Sequence, residues 1–443
     1  MKKVKPFRLM AVCLSAIMLI TLFAGCGDKK DDAAAPAGNA SEPAAPAGNA
    51  PDTIKIGYVT PMTGPLAAFS MSIQWVLDMA LPVINKDGGI YIKEYDRKIP
   101  VEVILADSES DPSKAAEAAQ NLITARNVDI LCGAWTPDTT IPVANTGEKN
   151  AIPTLLENSP MESWLEGGPY EWSYAIMFSV PNMMETYFDA WDKVDTNKKI
   201  GLIFDNNVDG VVIAPIVKEI AERRGYTCVD PGRFPMSTPD YSSMINQFKQ
   251  EGCDIIVANA ITPDYATFLQ QFYQMGFMPK IMTVGKALHF ESDALAVGGP
   301  DHPELAAGLM TEIHWDRGYP YPSSLLNMSV TELCDKWEAE HDTPYPTSIA
   351  YDISCMEVLF ELLNTAQTLD RATLRDTFSK LHGPSIYGTI NFMDNHVFEA
   401  PCVVVQYVLG DRYPLEKNLI AHGVWTDIPE SNKPIIIMSE RNL

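Results

Sequence analysis

The sequence predicts an α/β protein built as two doubly wound parallel-sheet lobes. Three observations carry that reading. Short aliphatic, β-branched runs alternate with longer amphipathic stretches, the mark of parallel strands joined by helical crossovers. The alternation stops and then restarts near Lys199. The length of 443 residues, with 46% hydrophobic and 20% charged, suits two globular domains plus a tail.

Each element follows in order. Ile54 to Val59 is a strand, and apolar positions at Ile73, Val76, Leu77, Ala80, Leu81 and Ile84 mark a helix. Asn85-Lys86-Asp87-Gly88-Gly89 stops that helix. Val101 to Leu105 is the next strand. Asp111-Pro112 is an N-cap followed by proline at the first helical position, opening a helix from Ser113 to Arg126. Val128 to Cys132 and Thr154 to Leu156 complete the first set of strands. The second set is Lys199 to Phe204, Tyr226 to Val229, Asp254 to Ala258 and Lys280 to Val284. Its helices run from Val211 to Arg224, ended by Gly225, and from near Asp240 and Pro263. Open sheets of this kind bind ligands at the carboxyl ends of their strands.

The first 52 residues read differently. Lys2, Lys3, Lys5 and Arg8 precede Leu9–Ala24, sixteen residues without a charge. That is short for a membrane span and right for the apolar region of a signal peptide. Leu22-Phe23-Ala24-Gly25-Cys26 resembles a bacterial lipobox, which implies cleavage before Cys26 and lipidation of its sulfur. An uncleaved anchor is the alternative. Residues 1–25 are therefore expected to be a lipoprotein signal peptide, whose loss removes four cations and no anions and takes the net charge from −24 to −28. Residues 26–52 are Ala, Pro, Gly and acid, with Ala-Ala-Pro-Ala-Gly-Asn-Ala occurring twice, and are expected to be a disordered tether.

The charge excludes a generic nucleic-acid binder, because it repels phosphate backbones. Enzyme signatures are missing: there is no glycine-rich dinucleotide loop after a strand, no P-loop, no G-x-S-x-G and no H-E-x-x-H. The seven histidines are scattered. Neither a catalytic constellation nor a cofactor or metal site is expected. Six cysteines remain in the body without C-x-x-C spacing, and a bridge such as Cys228–Cys253 stays open.

Ile54-Lys55-Ile56-Gly57 with Pro61-Met62-Thr63-Gly64 resembles the opening of type I periplasmic solute-binding proteins, in the leucine/isoleucine/valine-binding branch. Ile84-Asn85…Gly88-Gly89-Ile90, Asp107…Ser110-Asp111-Pro112, Val128-Asp129…Gly133, Tyr351-Asp352 and Gly388-Thr389-Ile390-Asn391-Phe392 follow in the family's order. The resemblance implies the type I periplasmic-binding fold, with three crossovers at a hinge. Lobe one is then expected at 53–177 plus 313–390, and lobe two at 178–312 plus 391–443. It implies an extracytoplasmic, lipid-anchored binding component of an ABC importer, with a permease, a small-molecule ligand and the membrane as partners. A sensory module on the same fold, or a secreted enzyme, is the alternative. The sequence departs from the family at Asp209-Gly210, where a Tyr-Gly pair is usual, and at Lys286, where an acid often takes the ligand's amine.

The candidate ligand residues follow strand ends. Trp135 and Thr136 top a strand before a helix, where free N–H groups and a hydroxyl suit a carboxylate; a core Trp and a plain N-cap are the bland alternative. Asn158 and Ser159, after Glu157, face the same place. Thr63, Gly64 and Leu66 follow the first strand. In lobe two, Asn206, Asn207 and Asp209 follow a strand, or form an Asx turn. Ala260 and Thr262 occupy the matching place one strand on. Lys286 offers charge to an anionic ligand, or else pairs internally with Asp209. Tyr351 and Trp315 are walls or hinge packing. The ligand is expected to be a small organic acid, amino acid or amino-acid-like amide.

Overall fold

The computed structural model describes residues 50–441. The signal peptide, Cys26 and most of the tether lie outside the described residues.

The first sheet is six-stranded and wholly parallel. Its spatial order is Val397–Glu399, Ser173–Phe178, Thr154–Pro160, Ile130–Gly133, Ile54–Thr60, Val101–Asp107. The second sheet has eight strands. Lys199–Asp205 lies between Ile255–Ala260 on one side and Thr227–Val229 with Arg233–Phe234 on the other. Ile281–Lys286, Met310–Ile313, Val403–Leu409 and Leu415–Ala421 continue outward. In each sheet the first strand sits between the second and the third, so the winding direction reverses beside it. That reversal opens a crevice at the strand ends. Gly133 marks the crevice in the first sheet: its φ is 99°, and a Cβ there would lie 2.2 Å from the Val59 carbonyl oxygen.

Local chemistry explains the helices. Asp111 accepts the Ser113 and Lys114 amides at 2.8 and 2.9 Å and starts Pro112–Thr124. Gly225 ends Val208–Arg224 in the left-handed region. The lobe-one helices Val330–His341, Ser348–Ala366 and Arg371–Phe378 had no assignment in the sequence analysis.

Two expectations change. The second sheet is parallel only as far as Met310–Ile313; Val403–Leu409 and Leu415–Ala421 add antiparallel, because a short turn joins them and needs no helical crossover. The strand Val397–Glu399 pairs with Ser173–Phe178 of the first sheet, although the expected division put 391–443 in lobe two. The chain therefore returns to the second sheet only between Glu399 and Val403.

One histidine touches all three connections between the sheets. His314 follows Met310–Ile313, stacks on Phe178 with centroids 4.4 Å apart, and bonds the Pro401 carbonyl through Nδ1 at 3.2 Å. A carbonyl only accepts, so Nδ1 carries the proton. Burial pushes the imidazole down to about 3, so it is neutral.

All six body cysteines are free, including Cys228 and Cys253. Cys355 donates to Glu157 at 3.0 Å, within a lobe-one core that carries two acids and no cation partner for either. Tyr58 donates to Glu157 and, at 3.2 Å, to Asp352, which also accepts Ser72 at 2.5 Å. Burial pushes Glu157 up to about 7. Burial, and then the charge of Glu157, raises Asp352 well above its ordinary value. A carboxyl raised in the fold stabilises it at low pH, and that contribution is lost as pH rises through the folded value. Unliganded melting temperature should therefore fall as pH is raised from about 5 to 7, and Glu157→Gln should flatten that fall. An unchanged slope in the variant would exclude Glu157 as its source.

Candidate functional site

The two crevices face each other across a cavity of about 20 Å³, room for roughly one water. Lobe one contributes Phe69, Thr136, Pro137, Asn158, Pro160 and Phe178 to its wall, and lobe two contributes Met183, Ile213, Asp209, Asn259, Lys286, His289 and Glu312. Apolar rings and chains form the sides, with a few polar groups between them.

Backbone strain collects here. Ala134, Thr136, Asn158 and Lys286 have φ of 66°, 66°, 40° and 68°. A β-branched residue such as Thr136 adopts that region only when its surroundings force it, and such strain gathers at binding sites. Thr136 stands at the N-cap of Pro137–Lys149, yet its side chain caps nothing and its buried hydroxyl has no partner. The free amides expected at 133–136 are absent: Ala134 donates to Val59, Trp135 to the Thr139 hydroxyl and Thr136 to Asn158, while Pro137 has no N–H. The turn folds back on its own strand neighbours and so spends its donors.

Lys286 is answered from inside the protein. Its Nζ lies 3.2 Å from Asp209 Oδ2 in lobe two and 3.9 Å from Asp138 of lobe one. Burial works against the ammonium, but Asp209, Asp138 and Asp205 hold it at about 12. Burial pushes Asp205 up to about 7 and also raises Asp209, against the pull of Lys286. The other oxygen of Asp209 and the side-chain oxygen of Asn259 are buried without partners. Next to them, Glu312 accepts His289 Nε2 at 2.8 Å, the Lys286 amide at 3.3 Å and the Tyr187 hydroxyl. Burial opposes the charge of Glu312, yet His289 and Tyr187 hold its carboxyl below the usual range. The lobe-two wall thus presents unfilled acceptors, not unfilled donors.

Of the residues chosen from sequence, Thr136, Asn158, Asp209 and Lys286 line the cavity. Trp135 and Tyr351 stand one layer behind: Trp135 packs on Phe69 at 5.3 Å and on Tyr351 at 5.5 Å. Trp315 is core, edge-on to Tyr345. Thr63, Gly64 and Leu66 do not line the cavity; Asp107 and Ser110 tie their turn to the neighbouring strand. Ser159 is buried outside the lining. Asn206 lies in an outer groove, and Asn207 beside it accepts the Gly210 amide as a helix cap. Ala260 belongs to the lobe-two core, and Thr262 bonds the Ala287 carbonyl at 3.3 Å. Sequence reasoning missed Phe69, Asn259, His289 and Glu312. Asn259 was within reach, one residue before Ala260 at the same strand end.

Two α/β lobes joined by three connections, with polar groups of both facing one enclosed cavity, define a binding protein that closes around a small solute. The chain belongs to the periplasmic binding protein family, whose model matches residues 53–412, and within it to the type I, leucine/isoleucine/valine-binding branch. This is a family of solute-binding proteins, not of enzymes. The Leu/Ile/Val-binding protein homolog 7 of Brucella suis is 23% identical over 340 residues, covering 74% of this chain and 80% of its own. A leucine binding protein from Thermotoga maritima superposes with a TM-score of 0.67 at 18% identity, covering 83% of this chain and 99% of its own. A solute binding protein of an ABC transporter from R. palustris, solved with 4-hydroxybenzoate, gives 0.64 at 18%, covering 84% and 96%.

Proposed function

We propose that the chain is the extracytoplasmic, lipid-anchored solute-binding component of an ABC importer, and that its solute is a small, amino-acid-like molecule with an amine or amide N–H. One observation carries the choice of solute: Asp209 Oδ1 and Asn259 Oδ1 are buried acceptors without partners on the cavity wall. A ligand N–H answers both, whereas a bare carboxylate leaves them unpaired and meets carboxylates already outnumbering Lys286. Phe69, Phe178, Met183 and Ile213 suit an apolar body, and the Thr136 hydroxyl can donate to a ligand oxygen. The name of the Thermotoga relative and the bound acid of the R. palustris one bracket this range of solutes.

A thermal-shift screen tests the reading with amino acids, their amides and their deaminated acids. A true ligand at 100 times its dissociation constant adds about 2.7 kcal/mol of stability. Amine-bearing members should shift the melting temperature and deaminated acids should not; the reverse order would overturn the choice of solute. Thr136→Ala should weaken the best ligand by about 0.5–1.5 kcal/mol and leave the unliganded melting temperature nearly unchanged. For the anchor, Cys26→Ser should abolish lipid labelling of the expressed protein; labelling that persists in the variant would refute it.

A further inference from the structure

A second cavity lies apart from the cleft and shares no residue with it. It is a groove of about 750 Å³ beside the third connection between the sheets. Its walls carry four aromatic rings, Tyr321, Tyr387, Phe398 and Trp425, and one carboxylate, Glu399. The remaining lining is neutral: no Lys, Arg or His contributes to it.

Three features distinguish this groove from a surface crease. Tyr387 is 2% exposed, lines the groove and has a buried hydroxyl with no partner. Its ring is held edge-on against Tyr351 at 5.2 Å, so the hydroxyl is fixed in place. Asn182 donates to Glu399 Oε1 at 2.6 Å, and no hydrogen bond is formed by Oε2 among the described residues. Tyr321, on the same wall, donates its hydroxyl to Asp427 and brings a second carboxylate to the rim.

We infer that this groove is a second ligand site, and that its ligand is a small organic cation carrying an ammonium head. Aromatic faces attract a cation through their quadrupoles, most strongly where water is thinned out. A carboxylate with one free oxygen supplies the countercharge, and a wall without basic residues does not oppose it. The Tyr387 hydroxyl, unpartnered inside the protein, accepts from or donates to a hydroxyl on the ligand tail. An anion finds neither countercharge nor positive donors here. Burial keeps the Glu399 carboxyl above its ordinary range, as expected of an acid whose partner comes from outside.

Choline and its uncharged isostere 3,3-dimethylbutan-1-ol are suitable probes, titrated calorimetrically into the full-length protein. Choline should bind and the neutral isostere should bind at least about tenfold more weakly. Glu399→Gln and Trp425→Ala should each weaken choline by a similar factor. Trp425→Phe, which keeps a ring and the packing, should fall between Trp425→Ala and wild type. Thr136→Ala should leave choline binding unchanged, which separates this groove from the cleft. The proposal is overturned by no choline binding at millimolar concentration, by equal binding of the isostere, or by loss of binding in Thr136→Ala with Glu399→Gln unaffected.

Discussion

Lys286→Met should destabilise the unliganded protein by about 3 kcal/mol at pH 8, because removing one partner strands the other's buried charge. Asp209 then keeps no cation, and Asp205 and Asp138 face it across the same space. The loss should shrink at pH 5. Without the lysine these carboxyls rise further, and a raised carboxyl costs the fold little while it is protonated. Asp138 is 31% exposed at its side chain, so water screens its share, and most of the effect belongs to Asp209. Lys286→Met combined with Asp209→Asn should recover most of the lost stability, since both charges leave together. Denaturant titrations at the two pH values decide the matter. A Lys286→Met protein as stable as wild type at pH 8 would show that the lysine is not the internal counterion. The same variant frees Asp209 Oδ2, so any amine-bearing ligand should gain affinity relative to its deaminated acid.

Trp135→Ala should cost about 3–5 kcal/mol, the usual range for emptying a buried aromatic site. Trp135 is 1% exposed and packs between Phe69 and Tyr351, so neither neighbour can close the gap without moving the cleft wall or the hinge aromatics. Trp135→Phe should cost less and keep ligand affinity within a few-fold, because the indole does not line the cavity. The denaturation midpoint should fall with the slope unchanged if the loss is packing alone. A Trp135→Phe protein of normal stability that no longer binds would return the indole to the ligand's side.

The parallel core was legible because its cause is local. Aliphatic runs such as Ile255 to Ala258 can only be doubly covered strands, and Asp111-Pro112 caps a helix wherever it falls. The short edge strand Val397–Glu399 and the antiparallel pair after Val403 gave no such signal. Their pairing is set by what the rest of the chain leaves open. Strand ends located half of the cavity wall, since the winding rule places ligands there whatever the residues. It did not locate Phe69, which arrives on a loop, or His289 and Glu312, whose positions depend on a strand and a turn far apart in sequence. Lys286 was visible as a departure, but its partner was not: two readings were open, and only the 3.2 Å approach of Asp209 chooses between them.

A cavity of about 20 Å³ admits no amino acid through its walls, so the lobes must part before anything enters. In stopped-flow mixing, the observed association rate should climb with solute concentration and then level off at the frequency of parting. The contact that must break spans the lobes from Lys286 to the partly exposed Asp138, where dissolved ions reach it. Added salt should raise that ceiling. How fast the protein captures scarce solute would then be set by the ionic strength around the cell as much as by the fit of the solute itself.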